Sequence, residues 1–75
     1  MVRLITIGSS STGNAYALDT GSEILLLEAG IKMAGVKRAI GFRLADVVGC
    51  IVTHEHGDHC KYATEYAKFG VNVYG

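Results

Sequence analysis

The chain is predicted to adopt an α/β layered fold, on three observations. Short β-branched or wholly apolar runs at residues 4–7, 24–27 and 50–52 alternate with two stretches of helical periodicity. Glycine-containing turns separate these runs, and proline is absent. All three histidines crowd into one junction where a strand gives way to a helix. The element order is strand, hairpin, helix, strand, histidine-rich turn, helix, strand, an alternation that suits an α/β architecture.

Taken in order, Leu4-Ile5-Thr6-Ile7 is a β-branched run closed by Gly8, the first strand. Residues 9–14 offer small or polar side chains with little packing value and read as a connector. They lack the Gly-Lys-Ser/Thr ending of a phosphate-binding P-loop. Residues 15–19 alternate loosely, Thr20-Gly21-Ser22 is a turn, and residues 23–28 return, which makes a hairpin. Ile24 to Leu27 is apolar at every position, a pattern that needs cover on both faces. Too few residues remain to supply that cover twice.

Residues 31–42 read as a helix, with Met33, Val36 and Ile40 near one face and Lys32, Lys37 and Arg38 on others. Gly35 and Gly41 weaken it. Its cations form either a solvated outer face or a surface that touches phosphate. Asp46 is placed to cap a single turn ahead of the Cys50 strand. The second helix, residues 59–69, carries Ala63 and Ala67 for close packing. Lys61, Glu65 and Lys68 are its solvent-facing charges, and Tyr62, Tyr66 and Phe69 form an aromatic packing stripe. Gly70 followed by Val71 is a C-terminal cap pattern, and residues 71–74 form the last strand.

At 75 residues the chain is at most one small domain, and chains of this size bury only about 60 per cent of their unfolded surface. Its two cysteines, Cys50 and Cys60, match no standard zinc spacing and read as a buried strand residue and a helix-start residue. Seven basic and seven acidic residues cancel, which removes any general electrostatic attraction to nucleic acid or membrane. No signal-peptide pattern and no run of membrane-spanning length occurs, so the expected location is cytoplasmic.

The chemistry concentrates in Thr53-His54-Glu55-His56-Gly57-Asp58-His59. In an extended turn His54 and His56, two apart, project to one side and reach one ion. Asp58 and His59 come from the tightening start of the helix and point towards a second, with Gly57 freeing the bend between the pairs. Imidazoles plus one carboxylate suit zinc, and by donor type equally manganese or iron. A divalent ion so held lowers the pKa of bound water towards about 7.

This motif resembles the His-x-His-x-Asp-His signature of the metallo-beta-lactamase fold superfamily. Gly8-Ser9-Ser10-Ser11-Thr12-Gly13-Asn14 resembles the Gly/Ser-rich opening of its WalJ/YycJ-like branch, whose members are regarded as nucleases. Leu25-Leu26-Leu27-Glu28-Ala29-Gly30 matches the second landmark, and Phe69-Gly70-Val71-Asn72-Val73-Tyr74 resembles the strand after the motif helix. The resemblance implies that residues 1–75 are the N-terminal portion of an incomplete αββα sandwich whose full domain holds two divalent ions. His54 and His56 would bind the first ion, and Asp58 and His59 the second. Asp58 would also accept a hydrogen bond from the attacking water and shuttle its proton. Glu28 stands where the family has aspartate and would hold the metal turn from behind, and Ser9, Ser10, Ser11 and Asn14 would line the active site.

The implied activity is a metal-dependent phosphodiesterase or nuclease, with nucleic acid as partner of the complete protein. The chain alone is expected to be inactive, because the family's later histidines and bridging aspartate have no counterpart after His59. A hydrolase of thioesters or lactams on the same fold is the alternative. A non-catalytic metal-binding module that self-associates through its uncovered sheet is a third reading.

Overall fold

The computed structural model describes residues 1–10, 13–53 and 62–75, with backbone alone at 9 and 10. The described elements are β1 (Arg3–Ser10), β2 (Gly13–Asp19), β3 (Ile24–Leu27), α1 (Met33–Ala39), a 3₁₀ turn (Leu44–Asp46), β4 (Val47–Ile51), α2 (Ala63–Lys68) and β5 (Val73–Tyr74). They form one mixed sheet in the order β1-β2-β3-β4-β5. β1, β2 and β3 make an antiparallel meander, whereas β4 and β5 add in parallel through the two helical crossovers.

Residues 9–14 are not a connector where the structure describes them. Ser9 pairs with Asn14 and Ser10 with Gly13, so β1 and β2 continue to the tip of a second hairpin. Main-chain pairing asks nothing of the side chains, which is why a Gly/Ser composition concealed it. The glycines serve close approach instead. A Cβ at Gly13 would run into the Gly30 carbonyl oxygen, and one at Gly8 would lie 2.7 Å from Ile31 Cδ1.

Helix α1 is shorter than the expected 31–42. Its inner face is as anticipated, with Met33, Val36 and Ile40 buried. It stops because Gly41 and Phe42 both adopt left-handed backbone, at φ 65° and 62°. Asp46 does not cap a turn. It ends the 3₁₀ turn and accepts a hydrogen bond from Arg43 Nε at 3.0 Å. β4 begins at Val47 rather than near Cys50, which is fully buried as expected. Burial, with the Glu28 charge adding to it, pushes the Cys50 thiol up to about 12, so it stays protonated.

In α2 the aromatic stripe divides. Tyr66 is fully buried and Tyr62 partly so, while Phe69 lies exposed under the Lys37 ammonium, 4.2 Å from its ring centre. The cap after it is a Schellman turn: Gly70, at φ 85°, donates to Ala67, and Val71 donates to Tyr66 and is buried. Glu65 is not a solvent-facing charge, since its Oε1 accepts the Met33 N–H at 2.6 Å and so ties α2 to the start of α1.

Both helices pack on one face of the sheet, where Ala17, Ile24, Leu26 and Cys50 meet Met33, Val36, Ile40, Tyr66 and Val71. The other face carries cross-strand neighbours Leu4, Leu18 and Leu25, then Leu27, Ile51 and Tyr74. Leu4 and Tyr74 are exposed there, so the second cover that the β3 sequence asks for does not come from the described residues.

At the end of the sheet where β1 begins, buried Asp19 is the hub. It accepts from the Gly21 N–H at 2.8 Å, from Arg43 Nη1 at 2.7 Å and from Arg3 Nη2 at 3.3 Å. The Gly21 N–H, and after it the Arg43 guanidinium, hold its carboxyl down from 3.8 to about 2. A carboxyl depressed in the folded state stabilises fully above 3.8, and that contribution fades as pH falls through about 2. The gap in urea midpoint between wild type and Asp19→Asn is therefore expected to be widest at pH 5 and to narrow towards pH 2. A gap of constant width would contradict the assignment.

Candidate metal centre

The opposite end of the sheet gathers the candidate site. β3, β4 and β5 run in parallel to this edge, and the β1/β2 hairpin tip reaches it as well. Ligands of open α/β sheets collect at such an edge, beyond the carboxyl ends of parallel strands.

Glu28 leaves the end of β3 in left-handed backbone at φ 71°, an uncommon state for a residue with a Cβ. Its N–H continues the β3–β4 pairing by donating to the Ile51 carbonyl at 2.7 Å. Its buried side chain points along the edge, where Oε1 accepts the Thr53 N–H at 2.8 Å and the Thr53 hydroxyl at 2.6 Å. Thr53 is the residue before His54. The neighbouring Ala29 carbonyl accepts the Tyr62 N–H at 2.8 Å. Residues 53 and 62, which flank the histidine segment, are thus tied to two consecutive residues of one corner.

The same corner fixes the hairpin tip, because Gly30 donates to the Asn14 carbonyl at 2.9 Å. The Tyr66 hydroxyl adds a bond to the Ile31 carbonyl at 2.7 Å. Burial raises the pKa of that hydroxyl well above its ordinary value, so it remains a donor.

His54, His56, Asp58, His59 and Ser11 lie outside the described residues, as do the side chains of Ser9 and Ser10. Asn14 is placed at the tip, partly buried and held by its main chain. Among the described residues no cluster of three or more His, Cys, Asp or Glu side chains stands ready for a metal. Sequence reasoning missed two supports of the corner, the Thr53 hydroxyl and the Tyr62 N–H. A hydroxyl residue between buried Val52 and the first histidine was the signal for the former, whereas a backbone donor leaves none.

The metallo-beta-lactamase superfamily model matches residues 10–73. Exodeoxyribonuclease WalJ of Streptococcus pneumoniae is 32% identical over 72 residues, covering 91% of this chain and 27% of the relative. Exodeoxyribonuclease YycJ of Bacillus anthracis is 36% identical over 58 residues, covering 73% and 22%. The chain thus spans about a quarter of the length of these relatives. Among solved structures, the chemotaxis sensor ODP in its peroxy diiron form superposes with a TM-score of 0.76 at 16% identity, over 96% of this chain and 32% of that one. The metallo-beta-lactamase fold protein YhfI of Bacillus subtilis gives 0.68 at 20%, over 91% and 32%. These two share the fold, and the family match and curated relatives establish the lineage: the chain belongs to the metallo-beta-lactamase superfamily.

Proposed function

We propose that this chain carries the first part of the active site of a cytoplasmic metal-dependent nuclease acting on DNA. The observation that carries the reading is the Glu28–Thr53 pair, which fixes Thr53, the residue before the His-x-His-x-Asp-His segment, at the carboxyl end of the parallel strands. The names of the WalJ and YycJ relatives favour DNA over a thioester or lactam. Three imidazoles and a carboxylate are a donor set suited to a divalent ion, zinc by preference, with manganese or iron alternatives. In this reading His54 and His56 hold one ion while Asp58 and His59 hold the second. Bound ions would supply an ionised water near neutral pH and charge stabilisation on the phosphodiester.

The chain's own residues then do three things. Asp58 accepts a hydrogen bond from the attacking water and carries its proton away. Glu28 fixes the backbone at Thr53, so that His54 starts from a set position. Asn14 and the serines at the hairpin tip line the approach. The exposed sheet face around Leu4 and Tyr74 takes the second sheet of an αββα sandwich in preference to a second copy of the chain. Residues 1–75 are accordingly one N-terminal portion of a larger domain.

The test is made on the complete protein, with His54→Ala as control. Metal content by mass spectrometry and release of nucleotides from linear DNA are both expected in the wild type and lost in the variant. Turnover of a thioester without any cutting of DNA would sink the nuclease reading, and bound metal with no hydrolysis would leave a metal-binding module.

A further inference from the structure

Zero net charge conceals a segregation of sign. Residues 29–45 contain four cations, Lys32, Lys37, Arg38 and Arg43, and no carboxylate. Two of the four are occupied: Arg43 on Asp19 and Asp46, and Lys37 over Phe69. Lys32 and Arg38 are exposed and form no ion pair among the described residues. Both line one cavity of about 320 Å³, with Gly30, Ile31, Gly35 and Tyr62.

The position of the cavity matters as much as its charge. Gly30 and Ile31 follow directly on the Glu28–Ala29 corner, and Tyr62 is the residue bound to Ala29. The cavity therefore opens on the helical layer next to the corner from which the histidine segment departs. Its volume is at the small end of ligand sites and has room for a phosphate with its sugar. Gly35 leaves that side of α1 without a side chain, while Lys32 and Arg38 supply charge and directional donors for phosphate oxygens.

We propose that this cavity is a phosphate subsite, in which Lys32 and Arg38 hold a backbone phosphate of the nucleic-acid strand beside the metal centre. The inference rests on the nuclease reading above and adds to it the path of the strand, from the histidine corner along α1. The subsite positions the strand without reading its sequence, since phosphate contacts carry no base information.

The experiment measures binding of the complete protein to a fluorescein-labelled, phosphorothioate-linked single strand, which resists cleavage, by fluorescence anisotropy across a salt series. For Lys32→Gln/Arg38→Gln the dissociation constant is expected to rise about tenfold, and the slope of log affinity against log salt to flatten by about 0.7 to 1.4. Lys37→Gln, which removes a cation of the same helix outside the cavity, is expected to bind as the wild type does. Arg38→Lys is expected to recover the salt slope but only part of the affinity.

Equal binding by wild type and double variant, with DNA cutting intact, would overturn the subsite and leave the nuclease reading standing. An equal loss in Lys37→Gln would reduce the effect to general charge and overturn it as well. Inorganic phosphate that titrates the wild type but not the double variant, with strand affinity unchanged, would reassign the cavity to free phosphate. A wild type that binds no strand would overturn both readings together.

Discussion

Glu28→Ala in the complete protein is expected to lower metal affinity about 10- to 100-fold, the usual cost of removing a group that orients a metal-bearing segment. Glu28 already bears a Cβ at φ 71°, so alanine adds no new backbone strain, and what disappears is the carboxylate that receives the Thr53 N–H and hydroxyl. Glu28→Gln keeps a carbonyl oxygen at the same reach and is expected to retain most of the affinity. Glu28→Asp is shorter by one methylene and is expected to fall between the two. Competition with a chelator of known affinity reads all three, and an alanine variant that binds as tightly as wild type would remove Glu28 from the centre.

Tyr66→Ala is expected to be the most damaging core substitution. The ring is wholly buried at the centre of the helical layer, and truncating a large buried aromatic costs about 3–5 kcal/mol. It also leaves the Ile31 carbonyl without the Tyr66 hydroxyl, about 1–3 kcal/mol more if that oxygen stays dry. Small domains command only about 5–15 kcal/mol in total, so the alanine variant is expected to be largely unfolded. Tyr66→Phe keeps the ring, loses the hydroxyl contribution alone and is expected to stay folded with a lower urea midpoint. Circular dichroism across a urea series separates the outcomes, and an alanine variant within 1 kcal/mol of wild type would contradict the packing described.

What the sequence reveals follows from whether a residue's neighbours lie near it along the chain. The β3 run, the Gly70–Val71 cap and the inner face of α1 depend on local pattern, and each is where that pattern puts it. Glu28 was legible only through the family resemblance, which has aspartate at that place. Its actual partner, Thr53, lies 25 residues away and becomes apparent only once β3 and β4 lie side by side. Glu65 read as a surface charge for the same reason, since its partner is the Met33 N–H at the start of α1. The hairpin tip at Ser9–Ser10 was hidden because backbone pairing leaves no mark on composition. Of the candidate site, the four proposed ligands His54, His56, Asp58 and His59 were read from sequence and lie outside the described residues, whereas the Glu28–Thr53 corner required the fold.

The two ends of the sheet differ in character, which has a practical consequence for handling the protein. β1 holds eight residues, a rise of about 23 Å, and fully exposed Met1 precedes its start at the Asp19–Arg43 end. Anything joined ahead of Met1, whether an affinity tag, a fluorophore or a surface linker, leaves from the edge opposite Glu28 and Thr53. Immobilised in that way, the molecules would share one orientation, with the Glu28–Thr53 corner turned towards solution.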